Sequence, residues 1–423
     1  MNKFLDFFGV SLAAFSTIPI LYCSWRFWLS KFKQSKMMLI RPLILLLLMG
    51  HLVACSTTHN LHKVEKKMES QDFKSTSLRQ LADSKNFYIG VAYSTSDYDS
   101  LIAKEFNSIV GENSFKPGRL LVDAENWKFD FTISDNLIKF AEANNMRARG
   151  HTLIWGKYPG FTYPLYWKKQ IEESSDKEKT IENLMTRYIN EVMGHFKGKI
   201  AQWDVVNEPM QGISPLVNNE KAPQSDLAKE PKKGKGLFQN PFTEAMGEAY
   251  IDLAFGIARK ADPNCSLFLN EQINDYDGPS GKAFLELLER LVERKVPIDG
   301  VGIQSHNSWK RHDLDGLRRY MKSIGDLGLK VEITELDVSI LLGGGENDPY
   351  TDQAKQFSDI TKICLEDPNC NGITLWGITD AHNWMDNVPM LKRKKTHAPN
   401  IFDKDLNKKP AYTAIWKALK SAQ

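Results

Sequence analysis

The chain has 423 residues, of which 42% are hydrophobic and 25% are charged, and its formal net charge is +3. This composition is typical of a globular protein with a large core rather than of a disordered chain. Because the charge is so near balance, it gives no electrostatic reason to expect a nucleic-acid partner.

The N-terminal segment contains two apolar stretches. Residues 7–25 form an uncharged run of 19 residues, which is long enough to span a bilayer. Residues 42–54 form a shorter run of 13 residues, which suits the apolar core of a secretory signal. The basic residues near these stretches favour a membrane partner, and they are Arg26, Lys31, Lys33, Lys36 and Arg41.

Cys55 follows the second stretch directly, in the sequence Leu-Val-Ala-Cys. This resembles the bacterial lipobox, in which the cysteine accepts a lipid and becomes the new N-terminus. Ser56 comes next, and in lipoproteins that pattern favours the outer membrane. We therefore expect residues 1–55 to be a membrane or lipoprotein signal region. The protein is then anchored in a bacterial cell envelope, facing the periplasm or the cell surface.

Two interpretations remain open for the first part of this region. Met37 and Met38 precede Leu39, and translation from there would give an ordinary lipoprotein signal, so that residues 1–36 are a start-site artefact. Alternatively, residues 7–25 are a true membrane helix. In both cases residues 56–84, rich in Lys, Glu, Ser and Asp, are interpreted as a polar tether. The main domain is then expected to span residues 85–423.

From Lys85 onward, eight short apolar runs alternate with longer amphipathic stretches. The short runs predict buried β-strands, and stretches such as 181–189, 249–258 and 284–292 have the periodicity of helices. Eight strands alternating with helices predict a single (β/α)₈ barrel of the TIM type, an α/β fold with a parallel sheet. The predicted strands are 87–91, 106–110, 146–151, 202–207, 267–270, 300–304, 329–334 and 372–376.

Polar or aromatic side chains follow seven of these otherwise apolar strands. Burying such groups is costly unless a pocket uses them, and chemistry in barrels of this kind lies at the C-terminal ends of the strands. The long, basic stretch 211–239 is predicted to be a surface loop along one rim of that pocket. The residues at strand ends are Glu112, Asn113, His151, Asn207, Glu208, Asn270, Gln304, His306, Glu335 and Trp376.

Glu208 and Glu335 form the carboxyl pair on which the functional prediction depends. They follow the fourth and seventh strands, whose ends face each other in a barrel. Cleavage of a glycosidic bond needs two carboxyl groups beside the bond, one protonated and one ionised. His306 and Asp337 are expected to orient an ionised Glu335, and apolar packing is expected to keep Glu208 protonated. A lone Glu at a strand end is more often a salt-bridged surface carboxylate, so only the pair carries this prediction.

Five cysteines are present. Cys23 and Cys55 belong to the N-terminal region, and Cys265 is expected to be a small buried hydrophobe. Cys364 and Cys370 flank a Pro-Asn turn, and in an exported protein they are expected to form a disulfide, the alternative being two free thiols. No His/Cys cluster has metal-ligand spacing, so neither a metal nor a cofactor is expected.

Two segments carry a resemblance to a known enzyme family. Residues 203–209, Trp-Asp-Val-Val-Asn-Glu-Pro, and residues 332–337, Glu-Ile-Thr-Glu-Leu-Asp, resemble the acid/base and nucleophile signatures of glycoside hydrolase family 10, the endo-β-1,4-xylanases. The resemblance spans residues 87–419 and implies a (β/α)₈ barrel that cleaves xylan with retention of configuration. Further similar motifs lie at 87–90, 149–155, 302–306, 375–380, 401–405 and 409–412.

The resemblance also implies roles for individual residues. Glu208 corresponds to the acid/base, Glu335 to the nucleophile, and His306 and Asp337 to residues that tune the nucleophile. The residues implied to bind the sugar chain are Glu112, Asn113, Lys116, His151, Trp155, Asn207, Gln304, Trp376 and Trp384. For each tryptophan the alternative is plain core packing. The Cys364–Cys370 spacing also resembles a disulfide of some members.

The chain departs from the family pattern at three places. Pro117 stands where Trp is usual, residues 156–158 are Gly-Lys-Tyr where His-Ser-Gln is usual, and residues 270–272 are Asn-Glu-Gln where Asn-Asp-Tyr is usual. Because the catalytic motifs are intact, these changes leave the mechanism but open the choice of substrate. The alternatives to a xylanase are a β-glucosidase or aryl glycosidase of the same fold and a non-catalytic carbohydrate-binding lipoprotein. We expect a monomer whose partners are β-1,4-linked xylan or xylo-oligosaccharides and the membrane.

Overall fold

The computed structural model describes residues 72–73, 75–211, 236–273, 275–307, 313–342, 348–388, 391 and 395–422. The chain divides into two compact units, residues 1–72 and residues 73–423, and the fold below is that of the second. The predicted signal region, Cys55 and most of the loop 211–239 lie outside the described residues. None of the helices in the described part combines the length and apolar character that a bilayer crossing requires.

Eight parallel strands close into a barrel, which confirms the predicted fold. Around the barrel they run β1-β2-β5-β6-β7-β8-β10-β11, and β11 pairs again with β1. The strands β3 and β4 form a separate antiparallel hairpin, and β9 lies beside β10. The bounds are β1 (Tyr88–Tyr93), β2 (Ser108–Gly111), β3 (Leu121–Asp123), β4 (Lys128–Phe129), β5 (Arg147–Trp155), β6 (Gln202–Asn207), β7 (Ser266–Glu271), β8 (Gly300–Ile303), β9 (His306–Asn307), β10 (Lys330–Val338) and β11 (Cys370–Leu375).

Helices follow the strands, and their apolar stripes pack against them. The helix α9 (Pro279–Glu293), for example, has Pro279 at its first position and buries Phe284, Leu287, Leu288 and Leu291 on one face. The described helices are α1 (Leu78–Asp83), α2 (Asp99–Glu105), α3 (Pro117–Leu120), α4 (Thr132–Ala143), α5 (Leu165–Glu173), α6 (Lys177–His195), α7 (Pro241–Met246), α8 (Ala249–Ala261), α9 (Pro279–Glu293), α10 (Leu314–Asp326), α11 (Pro349–Glu366) and α12 (Pro410–Ser421).

The strands β5 and β10 extend well beyond their predicted ends. Because β5 continues to Trp155 and β10 to Val338, His151 lies within its strand rather than at the end, and Glu335 lies within its strand rather than after it. The pairing register shifts next to both residues, in β5 against β6 and in β10 against β11. Such irregularities turn side chains away from strict alternation, which is common beside active sites.

A buried ion-pair network joins β5, β6 and β10 inside the barrel. Arg149, 3% exposed, pairs with Asp204 and lies 3.0 Å from a Glu332 oxygen. Arg147 donates to the other Glu332 oxygen at 2.9 Å, and His151 Nδ1 lies 2.8 Å from Asp204. Removing one member of such a network leaves an uncompensated buried charge. The network therefore holds together strands that carry the functional residues.

The domain begins earlier in the chain than predicted. Leu78 of α1 is fully buried in the main core, and Phe73 packs edge-on against Trp416 of α12 with ring centroids 5.3 Å apart. The predicted boundary at Lys85 is therefore too late, and residues 73–84 belong to the barrel unit. The segment is mostly polar and only a few of its apolar residues pack on the core, so its composition resembles that of a tether.

The predicted disulfide between Cys364 and Cys370 is confirmed. It connects the last turn of α11 to the start of β11, with the two Cα atoms 5.2 Å apart. Cys265 is buried and carries a free thiol, as expected.

Replacing Leu78 by Ala tests whether residues 73–84 are part of the folded unit. A Leu→Ala change at a fully buried site costs about 2–5 kcal/mol, so we expect urea denaturation to show a loss of this size in the free energy of unfolding. Leu165→Ala, at a site 62% exposed, is the matched control and should change it by less than about 0.5 kcal/mol. Equally small effects of both substitutions would mean that these residues form a tether.

Candidate active site

Glu335 of β10 is held from both sides by hydrogen-bond donors. Asn270 Nδ2 donates to Oε1 at 2.7 Å, and His306 Nε2 lies 3.0 Å from Oε2. The Glu335 side chain is only 6% exposed. Both carboxylate oxygens are therefore occupied, and the orientation of the group is defined before any ligand arrives.

His306 is placed between two carboxylates. Its Nε2 faces Glu335, and its Nδ1 lies 2.8 Å from Asp337 Oδ2, which also accepts the Trp384 indole N–H at 2.7 Å. Burial lowers the pKa of His306, but the charges and hydrogen bonds of Asp337 and Glu335 outweigh burial and raise the pKa to about 10. The ring is thus an imidazolium at neutral pH, and it presents a positive charge to Glu335.

Glu208 at the end of β6 faces an ammonium group. Its Oε2 accepts from Lys157 Nζ at 3.0 Å, its Oε1 accepts from Gln304 Nε2 at 3.1 Å, and its side chain is 11% exposed. Burial raises the pKa of Glu208, but Lys157, Gln304 and the His306 cation together hold the pKa below its usual value. The expectation that apolar packing keeps Glu208 protonated is therefore wrong for this arrangement, because the charge of Lys157 opposes the effect of burial.

Three amide side chains connect the two carboxyl groups. Asn270 Nδ2 donates to Asn207 Oδ1 at 2.8 Å as well as to Glu335, and Gln304 Nε2 lies 3.3 Å from the same Asn207 oxygen as well as bonding Glu208. The Asn207 oxygen thus accepts two hydrogen bonds. The amide nitrogen of the same side chain is buried and has no hydrogen-bond partner among the described residues. An unsatisfied buried donor is costly, and a sugar hydroxyl near the carboxyl pair would satisfy it.

A second polar cluster adjoins this pair. Lys116 Nζ donates to Asn113 Oδ1 at 2.7 Å, and Asn113 Nδ2 donates to Glu112 at 3.3 Å. Burial lowers the pKa of Lys116, although the charges of Glu335, Glu112 and Glu208 all oppose that shift. Burial likewise raises the pKa of Glu112. A cavity of about 330 Å³ opens beside Glu112 and Asn113, within the range of small-ligand sites.

Aromatic rings form one side of the site. Trp376, 8% exposed, lies edge-on to His151 at 5.4 Å and to His306 at 6.0 Å between ring centroids. The Trp384 ring lies 4.9 Å from His306, and the Trp155 ring lies 5.1 Å from Lys116 Nζ. Contacts therefore link all the predicted site residues of the barrel into one region. Faces of such rings can also hold the apolar face of a sugar.

Sequence reasoning assigned no role to three residues of this region. For Asn270, the position at a strand end was the only indication in the sequence that it lies in the pocket. Lys157 and Glu271 were visible only as departures from the family pattern, and nothing local indicates that they approach Glu208. Among the described residues, no group of three or more His, Cys, Asp or Glu side chains is placed to hold a metal ion.

Residues 77–418 match the family model described as Glycosyl hydrolase family 10. The chain is 35% identical to endo-1,4-beta-xylanase A of Thermotoga neapolitana over 326 aligned residues, and this alignment covers 75% of this chain and 28% of that protein. It is 31% identical to a thermostable celloxylanase of Thermoclostridium stercorarium over 396 aligned residues, and this alignment covers 88% of this chain and 95% of that protein. The chain thus spans less than a third of the first relative and nearly all of the second.

Solved structures give the same likeness. Native xylanase 10B of Thermotoga maritima has a TM-score of 0.69 and 30% identity, covering 82% of this chain and 98% of that one. Xylanase 10B of Thermotoga petrophila RKU-1, solved in complex with xylobiose, has a TM-score of 0.68 and 29% identity, covering 82% and 97%.

Asp337→Asn tests the origin of the charge on His306. One of the two carboxylates that hold the proton is lost, so we expect the pKa of His306 to fall from about 10 toward its usual value. An NMR titration of the histidine rings, assigned with His306→Gln, measures this. Because the folded-state pKa is the higher one, His306 stabilises the wild type below its usual pKa, near 6.5, and this contribution is lost as pH rises through about 10.

The control is Asp326→Asn, which removes an exposed carboxylate of α10 that pairs with Lys322. It should leave the His306 titration unchanged. The same His306 pKa in the wild type and in Asp337→Asn would contradict the assigned cause.

Proposed function

Since the chain belongs to glycosyl hydrolase family 10, we propose that it is a retaining endo-β-1,4-xylanase in which Glu335 is the nucleophile and Glu208 the acid/base. The observation that carries this proposal is the carboxyl pair, with Glu208 directly after β6 and Glu335 within β10, joined by one hydrogen-bonded cluster. Two carboxyl groups with opposite protonation requirements are what glycoside hydrolysis needs.

In the first step, Glu335 attacks the anomeric carbon while Glu208 gives its proton to the departing glycosidic oxygen. The bond to the leaving sugar breaks, and an ester bond to a Glu335 oxygen forms. Because Asn270 and His306 already hold the Glu335 carboxylate in one orientation, little reorganisation is needed for attack. The positive charge of His306 suits the ionised state in which Glu335 must begin.

In the second step, Glu208 is a carboxylate and takes a proton from the water that attacks the same carbon. The ester bond breaks, Glu335 is released as a carboxylate, and Glu208 is protonated again. Each step inverts the anomeric carbon, so the product retains the configuration of the substrate.

Binding of the sugar chain is proposed to use the polar groups around this pair. The unpartnered amide nitrogen of Asn207 is suited to the 2-hydroxyl of the sugar under attack. The cluster of Glu112, Asn113 and Lys116 is suited to the next sugar toward the non-reducing end. The xylobiose complex of a structural relative supports a β-1,4-linked xylose chain as the substrate class.

A shifted substrate is the second candidate. It is favoured by the changes at residues 156–158 and 270–272, which place Lys157 and Glu271 around the acid/base. A relative that aligns over most of both chains is described as a celloxylanase, which supports testing glucose-based chains as well.

We also propose that the protein is exported and anchored in the outer membrane by a lipid on Cys55. The membrane is then its second partner, beside the sugar chain. The apolar run 42–54 and the small residues before Cys55 support this proposal. The Cys364–Cys370 disulfide suits the oxidising compartments outside the cytoplasm. Translation from Met1 or from Met37 would give the same mature N-terminus.

Purified full-length protein acting on soluble xylan tests the enzymatic proposal. We expect a series of xylo-oligosaccharides in which the β-anomer appears first by NMR. Glu335→Gln should reduce turnover on the order of 10⁴-fold or more while the circular dichroism spectrum is kept, because the covalent step is lost.

Glu293→Gln, at an exposed site in the last turn of α9, is the matched control and should keep full activity. Carboxymethylcellulose and aryl cellobioside, assayed beside xylan and aryl xyloside, decide between the two substrate candidates. Turnover that survives in Glu335→Gln, or an α-anomer as the first product, would refute the mechanism.

Cys55→Ala tests the anchor. In a Gram-negative host grown with a labelled fatty acid, the wild type should carry the label and sediment with outer membranes. Cys55→Ala should lose the label, since the acceptor thiol is gone. Cys23→Ala is the matched control and should keep the label. Label that persists on Cys55→Ala would refute lipidation at this residue.

A further inference from the structure

Lys157 is an unusual neighbour for a residue that must act as an acid. Its ammonium lies 3.0 Å from Glu208 Oε2, its side chain is only 5% exposed, and it sits 5.3 Å from the centre of the Phe238 ring. Lys157 follows β5 after Gly156, where any side chain would collide with that of Asn240. The close packing of this turn therefore gives the ammonium a defined position against Glu208.

A second buried carboxyl group belongs to the same cluster. Glu271 at the end of β7 is 1% exposed, and its oxygens accept from the backbone N–H groups of Met210 at 3.0 Å and Gln272 at 2.8 Å. Burial raises the pKa of Glu271 to about 7, while the charge of Lys157 opposes this and the charge of Glu208 adds to it. One ammonium thus acts on two carboxyl groups that repel each other.

We propose that Lys157 is a positioning residue that holds the acid/base Glu208 as a carboxylate in the free enzyme and so confines efficient cleavage of sugar leaving groups to acidic pH. Of the two carboxyl groups, Glu271 takes up a proton at a higher pH than Glu208 does. This inference rests on the proposed function, because it assigns a consequence to the protonation of the proposed acid.

The sign of the effect follows from the charges. An opposite charge within about 4–6 Å favours the ionised form of a carboxyl group by roughly 1–3 pKa units. Lys157 therefore supports Glu208 in the second step, where Glu208 acts as a base, and opposes it in the first step, where Glu208 must be protonated. A leaving group that departs without a proton, such as dinitrophenolate, escapes this requirement, whereas a sugar alkoxide does not.

The other groups that act on Glu208 come from several neighbouring elements. The His306 cation and the Gln304 amide lower the pKa of Glu208 together with Lys157. The negative charge of Glu208 in turn acts on Lys116, on Glu271 and on the exposed phenol of Tyr158. All of these groups are unchanged when only Lys157 is replaced, so its own contribution can be measured.

The test is a carbon-detected NMR titration of the full chain labelled at the glutamate side-chain carboxyl carbon. Glu208→Gln and Glu271→Gln assign the two signals. Lys157→Met removes the charge, and we expect the pKa of Glu208 to rise by about one unit or more and that of Glu271 to rise as well. Lys157→Arg keeps a positive charge and should leave both pKa values nearer to those of the wild type.

Lys404→Met, at an exposed site, is the control for the loss of one positive charge and should change neither value. Unchanged titration of Glu208 in Lys157→Met would overturn the proposal, because a lysine with a packing role alone would give that result. This measurement needs no activity, so it decides the proposal even if the wild type fails to cleave xylan.

Kinetics test the consequence for the pH range. In Lys157→Met, the basic limb of the kcat/KM profile on xylo-oligosaccharides should move to higher pH by the same interval as the pKa of Glu208. The limb on dinitrophenyl xyloside should move little, since that step needs no acid. A shifted pKa with unmoved limbs on both substrates would overturn the link between Lys157 and the pH range.

Discussion

The barrel brings like-charged carboxyl groups together in a poorly solvated pocket, and most of the surrounding side chains balance that charge. Glu335, Asp337 and Glu271 are buried and the Glu208 side chain is only 11% exposed, in surroundings where isolated negative charges would be very costly. The balance comes from the imidazolium of His306, the ammonium of Lys157 and a set of amide donors. Each carboxyl group has a different set of neighbours, and this difference allows chemically identical groups to hold different roles.

The amide groups of Asn207, Asn270 and Gln304 connect Glu335 to Glu208 through hydrogen bonds. Each of the two donors serves one carboxyl group and the shared oxygen of Asn207. Their positions depend on three neighbouring strands, and the buried ion pairs of Arg149 with Asp204 and Glu332 connect further strands inside the barrel. Precise placement of the reacting groups thus depends on polar contacts along the barrel as well as on the apolar core.

The surroundings of Glu208 show why burial alone is a poor guide to protonation. Burial taken alone raises the pKa of Glu208, as expected for a carboxyl group removed from water. The nearby ammonium reverses the net direction, and its position depends on a turn that the glycine before Lys157 permits. The family signatures around Glu208 contain no sign of this neighbour, since Lys157 lies about fifty positions earlier in the chain.

The sequence by itself predicted the eight strands, the barrel fold, the two carboxyl groups proposed for catalysis and the disulfide partners. These follow from periodicity, from short motifs and from a six-residue spacing, all of which are local properties of the chain. Only the tertiary structure decided that residues 73–84 pack on the barrel, that the Asn207 amide nitrogen is left free for a ligand within the described residues, and that Lys157 and Glu271 surround Glu208. Such contacts join residues from different strands and loops, and no local pattern encodes the distances between those residues, which are set only when the barrel has closed.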